Sequence, residues 1–133
     1  MPKSKNVSLV NITPFAKQFA NQLKGGEILA LTGPLGSGKT TFAQNLGKYL
    51  KIKSKITSPS FRLIHQYSGK TSRGKNVFVY HLDLYRTKNW KEVENLGIKE
   101  IWQNPKSIII IEWANKIKSK LPKKAIWIKF LGL

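Results

Sequence analysis

The eight residues Gly33-Pro34-Leu35-Gly36-Ser37-Gly38-Lys39-Thr40 carry the densest concentration of chemistry in the chain. Their spacing is G-x-x-x-x-G-K-[ST], with Gly36 as a further glycine inside it. Glycines let successive backbone N–H groups curl inward into a nest that binds an anion. A helix starting at Lys39 would aim its positive end at the same point. A lysine placed there reaches the outer phosphates of a nucleotide, and the hydroxyl beside it can ligate the magnesium ion that neutralises them. The segment therefore reads as a P-loop, with Leu35, Gly36, Ser37, Gly38, Lys39 and Thr40 around the phosphates of ATP or GTP. The guanine-reading pattern N-K-x-D is absent, because Asn115-Lys116 runs into Ile117 and Lys118, so ATP is the expected nucleotide.

Such a loop needs a carboxylate to hold magnesium or orient water, and open α/β sheets place such groups at the carboxyl ends of strands. The chain has six acidic residues, and Asp83 is its sole aspartate. Two of the six close apolar runs. Asp83 follows Val77-Phe78-Val79-Tyr80-His81-Leu82, and Glu112 follows Ser107-Ile108-Ile109-Ile110-Ile111. An apolar strand running straight into an acid is how P-loop enzymes present the carboxylate on their metal, which favours Glu112, with Asp83 as the second candidate. The plainer alternative for each is a strand-end acid meeting a lysine.

The elements that must position these residues are legible in outline. Asn6–Val10 reads as a short strand, and a helix starts at Thr13 with Pro14 in its first turn, where a missing N–H costs nothing. Phe15, Phe19 and Leu23 recur on one face of it, and Gly25-Gly26 stop it. Glu27–Thr32 is a buried strand leading into the loop, and Lys39–Leu50 carries Phe42, Ala43, Leu46 and Leu50 at helical spacing. Phe61–Tyr67 and Val77–Leu82 form a hairpin across the polar link from Ser68 to Asn76. Trp90–Trp102 is a broken helical region. Ser107–Ile111, with its four isoleucines, suits a central strand covered on both faces, and Ala125–Leu131 is a last strand. The expected fold is α/β: a single-domain P-loop NTPase fold over residues 1–133, with a mixed sheet and helices on both faces.

Composition narrows the setting. A chain of 133 residues fits one compact domain, and its 41% hydrophobic content argues against disorder. With no cysteine, disulfides and thiolate metal sites are excluded. No apolar run approaches the roughly 20 residues that span a bilayer, and the first ten residues lack a signal-peptide core, so no membrane role and a cytoplasmic location are expected. The net charge of +18 comes from lysines scattered along the chain. It fits either a nucleic-acid surface or solvated lysines set by compositional bias.

Four blocks in order give the chain a resemblance that runs from about Thr13 to Leu131. They are Gly33 to Thr41, Ser58-Pro59-Ser60-Phe61, Tyr80-His81-Leu82-Asp83-Leu84-Tyr85-Arg86, and Ile111-Glu112-Trp113. Together they resemble the TsaE (YjeE) family, the ATPase component of bacterial tRNA threonylcarbamoyladenosine synthesis. The resemblance implies an ATP hydrolase, slow by itself, that acts on a complex of TsaB and TsaD and touches tRNA at least indirectly through that complex. It implies that Lys39 holds phosphates, that Thr40 and Glu112 hold Mg2+, and that Asp83 orders the attacking water or the metal shell. Thr41 and Ser60 would be polar neighbours of the γ-phosphate, and Trp113 would lie beside the nucleotide. Ser60 stands where the family usually has threonine, Ala114 replaces the proline after E-W, and Pro34 replaces an acid. The chain stops at Leu133, close to where the family continues to a basic residue near the nucleotide, which would weaken ATP affinity or leave that role to a lysine.

Several other residues admit two readings. His65 and His81 could pair on a metal, or His81 packs and donates a hydrogen bond near Asp83 while His65 sits on the hairpin surface. Arg86 is an arginine finger in cis or the partner of Glu92 or Glu94. Trp90, Trp102 and Trp127 read as core or interface. The basic link Lys70, Arg73 and Lys75 is either a phosphate contact or a solvated loop tip. Competing functions are a small P-loop nucleoside or metabolite kinase, which an arginine count of three supplies poorly with a lid, and a basic RNA-binding module.

Overall fold

A computed structural model describes residues 3–8, 11–53 and 63–132. Among them six strands form one sheet: β1 (Lys3–Val7), β2 (Ile28–Thr32), β3 (Ile64–Lys70), β4 (Asn76–Asp83), β5 (Ser107–Glu112) and β6 (Ile126–Phe130). Their order across it is β1-β6-β2-β5-β4-β3. Every neighbouring pair is parallel except β3–β4, an antiparallel hairpin on one edge, so the sheet is mixed as expected.

Alternation along the strands sorts the core into two layers, and each layer has its own helical cover. Leu29, Leu31, Ile108, Ile110, Val77 and Val79 pack beneath helices α1 (Ile12–Gln22) and α2 (Lys39–Tyr49), through Ala16, Phe19, Phe42, Ala43 and Leu46. The intervening residues Ile28, Ala30, Ile109, Ile111 and Leu82 face the other way. They meet α3 (Trp90–Glu94), α4 (Ile98–Gln103) and a 3-10 segment, Ala114–Lys120, broken at Ile117. Helices therefore cover both faces, as the pattern of the strands predicts.

β5 is buried along its whole length. β2 and β4 pair with it on either side, which is the central position that the isoleucine run predicts. The glycine pair Gly25-Gly26 lies beyond the end of α1, with φ of +107° and +92° in the turn into β2. The helix stops earlier, at Gln22.

Boundaries differ from the sequence reading at several elements, many of them by a single residue. The first strand is Lys3–Val7 rather than Asn6–Val10, because parallel pairing to β6 runs from Lys3 with Ile126 to Val7 with Phe130; residues 9 and 10 lie outside the described residues. β3 extends to Lys70, since the hairpin turns within Thr71 to Gly74 and not at Ser68. The broken helical region resolves into α3 and α4, separated at Gly97, whose φ is +78°. The Ser58-Pro59-Ser60-Phe61 block, Ser60 included, lies outside the described residues.

Candidate nucleotide site

The glycine loop joins the end of β2 to the start of α2, the order strand, loop, helix that the sequence predicts. Gly33 adopts φ +141°, and a Cβ there would stand 2.6 Å from the Phe130 carbonyl oxygen on β6. Gly38, with φ +100°, makes the turn into α2. No side chain caps that helix and none of its own first-turn residues is acidic, so its positive end faces the loop uncapped.

Lys39 is buried. Its ammonium donates to the carbonyls of Gly33 at 2.6 Å and Pro34 at 2.9 Å, and it sits 4.4 Å from the centroid of the Trp113 ring. Burial pulls its pKa below the ordinary lysine value, against the opposing pull of the Glu112 and Asp83 carboxylates. Trp113 reaches this position from a left-handed backbone, φ +59°, immediately after β5. Its ring also meets Tyr85, with centroids 5.0 Å apart at 40°. Lys116 braces the Tyr85 loop by donating to the carbonyls of Tyr85 and Thr87.

Glu112 ends β5, and the parallel register sets it beside Asp83 at the end of β4. Its carboxylate is buried. It accepts from the Thr40 hydroxyl at 3.2 and 3.1 Å and lies 2.6 Å from His81 Nε2. With a carboxylate oxygen as acceptor, His81 Nε2 is the donor. His81 is fully buried, and its Nδ1 has no partner among the described residues. Asp83 is part-exposed and its Oδ1 accepts from the Tyr85 N–H at 3.0 Å. Desolvation raises its pKa. The Tyr85 N–H works against that, neighbouring Glu112 adds to it, and His81 and Lys39 lower it.

These groups converge on a cleft of about 300 Å³. Leu35, Gly36, Ser37, Gly38, Lys39, Thr40, Thr41, Asp83, Glu112 and Trp113 all line it, together with Tyr85, which the sequence reading gave no role. Tyr85 stands two residues past Asp83 in the block Tyr80 to Arg86, so its place beside the acid was the available signal. His81 is the other omission. It points to Glu112 across the strand pair, where the sequence suggested a bond near Asp83.

The oxygen donors of Thr40, Glu112 and Asp83 are the hard ligand set that magnesium takes, and the contact between Thr40 and Glu112 brings two of them together. The histidines do not share a partner: His65 Nδ1 lies 3.2 Å from the Tyr67 hydroxyl, while His81 serves Glu112. Among the described residues no group of three or more His, Cys, Asp or Glu side chains is placed to hold a metal ion. Arg86 is exposed, and Glu94 pairs with Lys99 at 3.3 Å instead. Trp90 and Trp102 stack on each other within the second core layer, in keeping with the core reading. Among the described residues, no helix is long and apolar enough to cross a membrane.

A family model described as threonylcarbamoyl adenosine biosynthesis protein TsaE matches residues 7–132. The protein of that name from Synechocystis sp. is 40% identical over 106 residues, which are 77% of this chain and 64% of the relative; the match thus spans just under two thirds of that relative's length. The Aquifex aeolicus protein is 38% identical over 77% of this chain and 69% of its own. The Bacillus subtilis one is 32% identical over 95% and 75%. Among solved structures, Bacillus subtilis YdiB superposes with a TM-score of 0.63 at 31% identity, covering 92% of this chain and 72% of that one. With the P-loop NTPase architecture and the match over nearly its whole length, the chain belongs to the TsaE family.

Proposed function

We propose that residues 1–133 act as one nucleotide-binding domain that hydrolyses Mg-ATP and drives the cytoplasmic complex that modifies adenosine beside the tRNA anticodon, with TsaB and TsaD as partners. The observation that carries this reading is the contact of the Thr40 hydroxyl with Glu112, beside a buried Lys39 at the mouth of the loop. In this reading two oxygen ligands and one cation would surround the terminal phosphates.

In this reading the loop N–H groups and Lys39 bind the phosphates. Lys39 exchanges the Gly33 and Pro34 carbonyls for phosphate oxygens, and the cleft that desolvates it strengthens each such contact. Thr40 and Glu112 would hold magnesium, which supplies charge neutralisation on the phosphates when bound. Asp83, part-exposed and accepting from the Tyr85 N–H, would order the attacking water or the metal shell. Thr41 and Ser60 would contact the γ-phosphate. Trp113, already packed on Lys39, would lie along the nucleotide.

The test is Mg-ATP hydrolysis by the purified protein, alone and then with its cognate TsaB–TsaD pair, with Glu112→Ala as the blank. Slow turnover that changes clearly with the pair supports the reading; turnover indifferent to the pair redirects it to a kinase and to screening of acceptors. Glu112→Ala should keep nucleotide binding and lose most hydrolysis, since it acts where charge develops. Unchanged turnover in that variant would move the role to Asp83.

A further inference from the structure

Glu27 is the only carboxylate before Asp83 in the sequence. Its two oxygens are taken by the N–H groups of Lys24 and Gly25, each at 2.8 Å. Around it, at the end of the sheet where β2, β4 and β5 begin and thus opposite the cleft, backbone contacts bring together the segments that carry four cations. The Lys75 ammonium lies 3.1 Å from where a Cβ on Gly25 would stand, next to Lys24. It donates to the Pro105 carbonyl, the residue before Lys106. The turn carrying Arg73 is docked on α1 through the Ser72 hydroxyl and the Asn21 carbonyl, 3.2 Å apart. Lys24, Arg73, Lys75 and Lys106 are all exposed. Exposed cations carried on one end of the sheet attract a polyanion. Beside them β4 presents Phe78, 40% exposed, whose N–H bonds the Lys106 carbonyl at 2.8 Å.

We propose that this end of the sheet is an RNA contact surface, in which Lys24, Arg73, Lys75 and Lys106 take backbone phosphates and Phe78 stacks on an unpaired base. The inference rests on the tRNA-modification reading and adds to it a direct contact with the RNA. Exposed cations, with the one carboxylate among them, Glu27, taken by backbone N–H groups, suit a string of phosphates, and an aromatic face beside them suits a base, which an acidic polypeptide does not offer.

The experiment measures binding of a fluorescein-labelled tRNA transcript to the full chain by anisotropy across a KCl series. The variant K24Q/R73Q/K75Q is set against K91Q/K118Q/K123Q, which loses the same charge from exposed positions on α3, the 3-10 segment and the turn before β6. If each lost contact removes about 0.9 from the log–log salt slope, the first variant should flatten it by about 2 to 3 and the second by less than about 1. Phe78→Ala should weaken binding by about 5- to 100-fold with the slope unchanged. Equal effects of the two triple variants, or no binding by the unsubstituted chain, would overturn the proposal. Mg-ATP binding is read on the same samples. RNA binding with the expected slopes but no nucleotide binding would sink the ATPase reading and leave this surface standing.

Discussion

Replacing His81 with leucine probes how the Glu112 carboxylate is held. The imidazole is fully buried and donates to Glu112 Oε2 at 2.6 Å, while Thr40 Oγ1 donates to the same carboxylate at 3.1 to 3.2 Å. Leucine removes the shorter bond and leaves a buried acid with one neutral donor. Hydrogen bonds to charged groups contribute about 1.5 to 3 kcal/mol, so denaturant titration should show a loss of that order. The consequence for function is separable. A carboxylate that holds a metal relies on its outer hydrogen bonds for orientation, and losing one typically costs about 10- to 100-fold in metal affinity. The concentration of Mg2+ that half-saturates ATP hydrolysis should therefore rise by about that factor. Nucleotide binding in EDTA, which depends on the loop and Lys39, should change little. His81→Gln, which keeps a donor, should recover part of the Mg2+ affinity. If His81→Leu folds, is less stable and yet shows an unaltered Mg2+ dependence, the histidine only fills space and the reasoning fails.

Lys39→Ala should abolish nucleotide binding, measured by calorimetry; tight Mg-ATP binding by this variant would remove the P-loop assignment. Asp83 gives a pH-dependent signature in metal-free buffer. Because desolvation raises its folded pKa, the folded state prefers the protonated acid, and the stability Asp83 lends is complete below the ordinary carboxylate value of 3.8 and is lost as pH rises through the folded pKa. Asp83→Asn should therefore be more stable than the parent at pH 7, with the difference vanishing below about pH 3.8; a constant difference from pH 3 to 7 would exclude this account. Gly33→Ala, which sets a Cβ 2.6 Å from the Phe130 carbonyl oxygen at φ +141°, should cost roughly 1 to 3 kcal/mol in urea unfolding, and an unchanged midpoint would show that β6 yields.

Much of the cleft was legible because its signals are local. The loop spacing, the isoleucine run ending in Glu112 and the alternation before Asp83 each report on a single element, and all of them meet in one place. What depended on pairing between elements was not legible. That His81 serves Glu112 follows from the parallel register of β4 on β5, and no sequence period encodes a register between strands separated by two helices. The first strand was shifted for a related reason: its lysine-bearing residues show little alternation and take their place from β6. The hairpin turn fell late because Gly69 reads as punctuation, whereas it stays in the ladder and lies against the Leu50 carbonyl oxygen, 2.6 Å from where a Cβ would stand. The bond of Lys39 to its own loop carbonyls, and the Trp113 ring above it, are tertiary facts that the motif alone does not contain.

The burial of β5 along its whole length has a consequence for motion. Its amides are locked between two parallel neighbours, so hydrogen exchange there should proceed only through global opening of the molecule. Glu112 is carried at the end of that strand, while Lys39 and Thr40 belong to the end of a glycine loop and the first turn of a helix. The cleft thus joins a glycine loop to a carboxylate whose backbone is anchored in a fully buried strand.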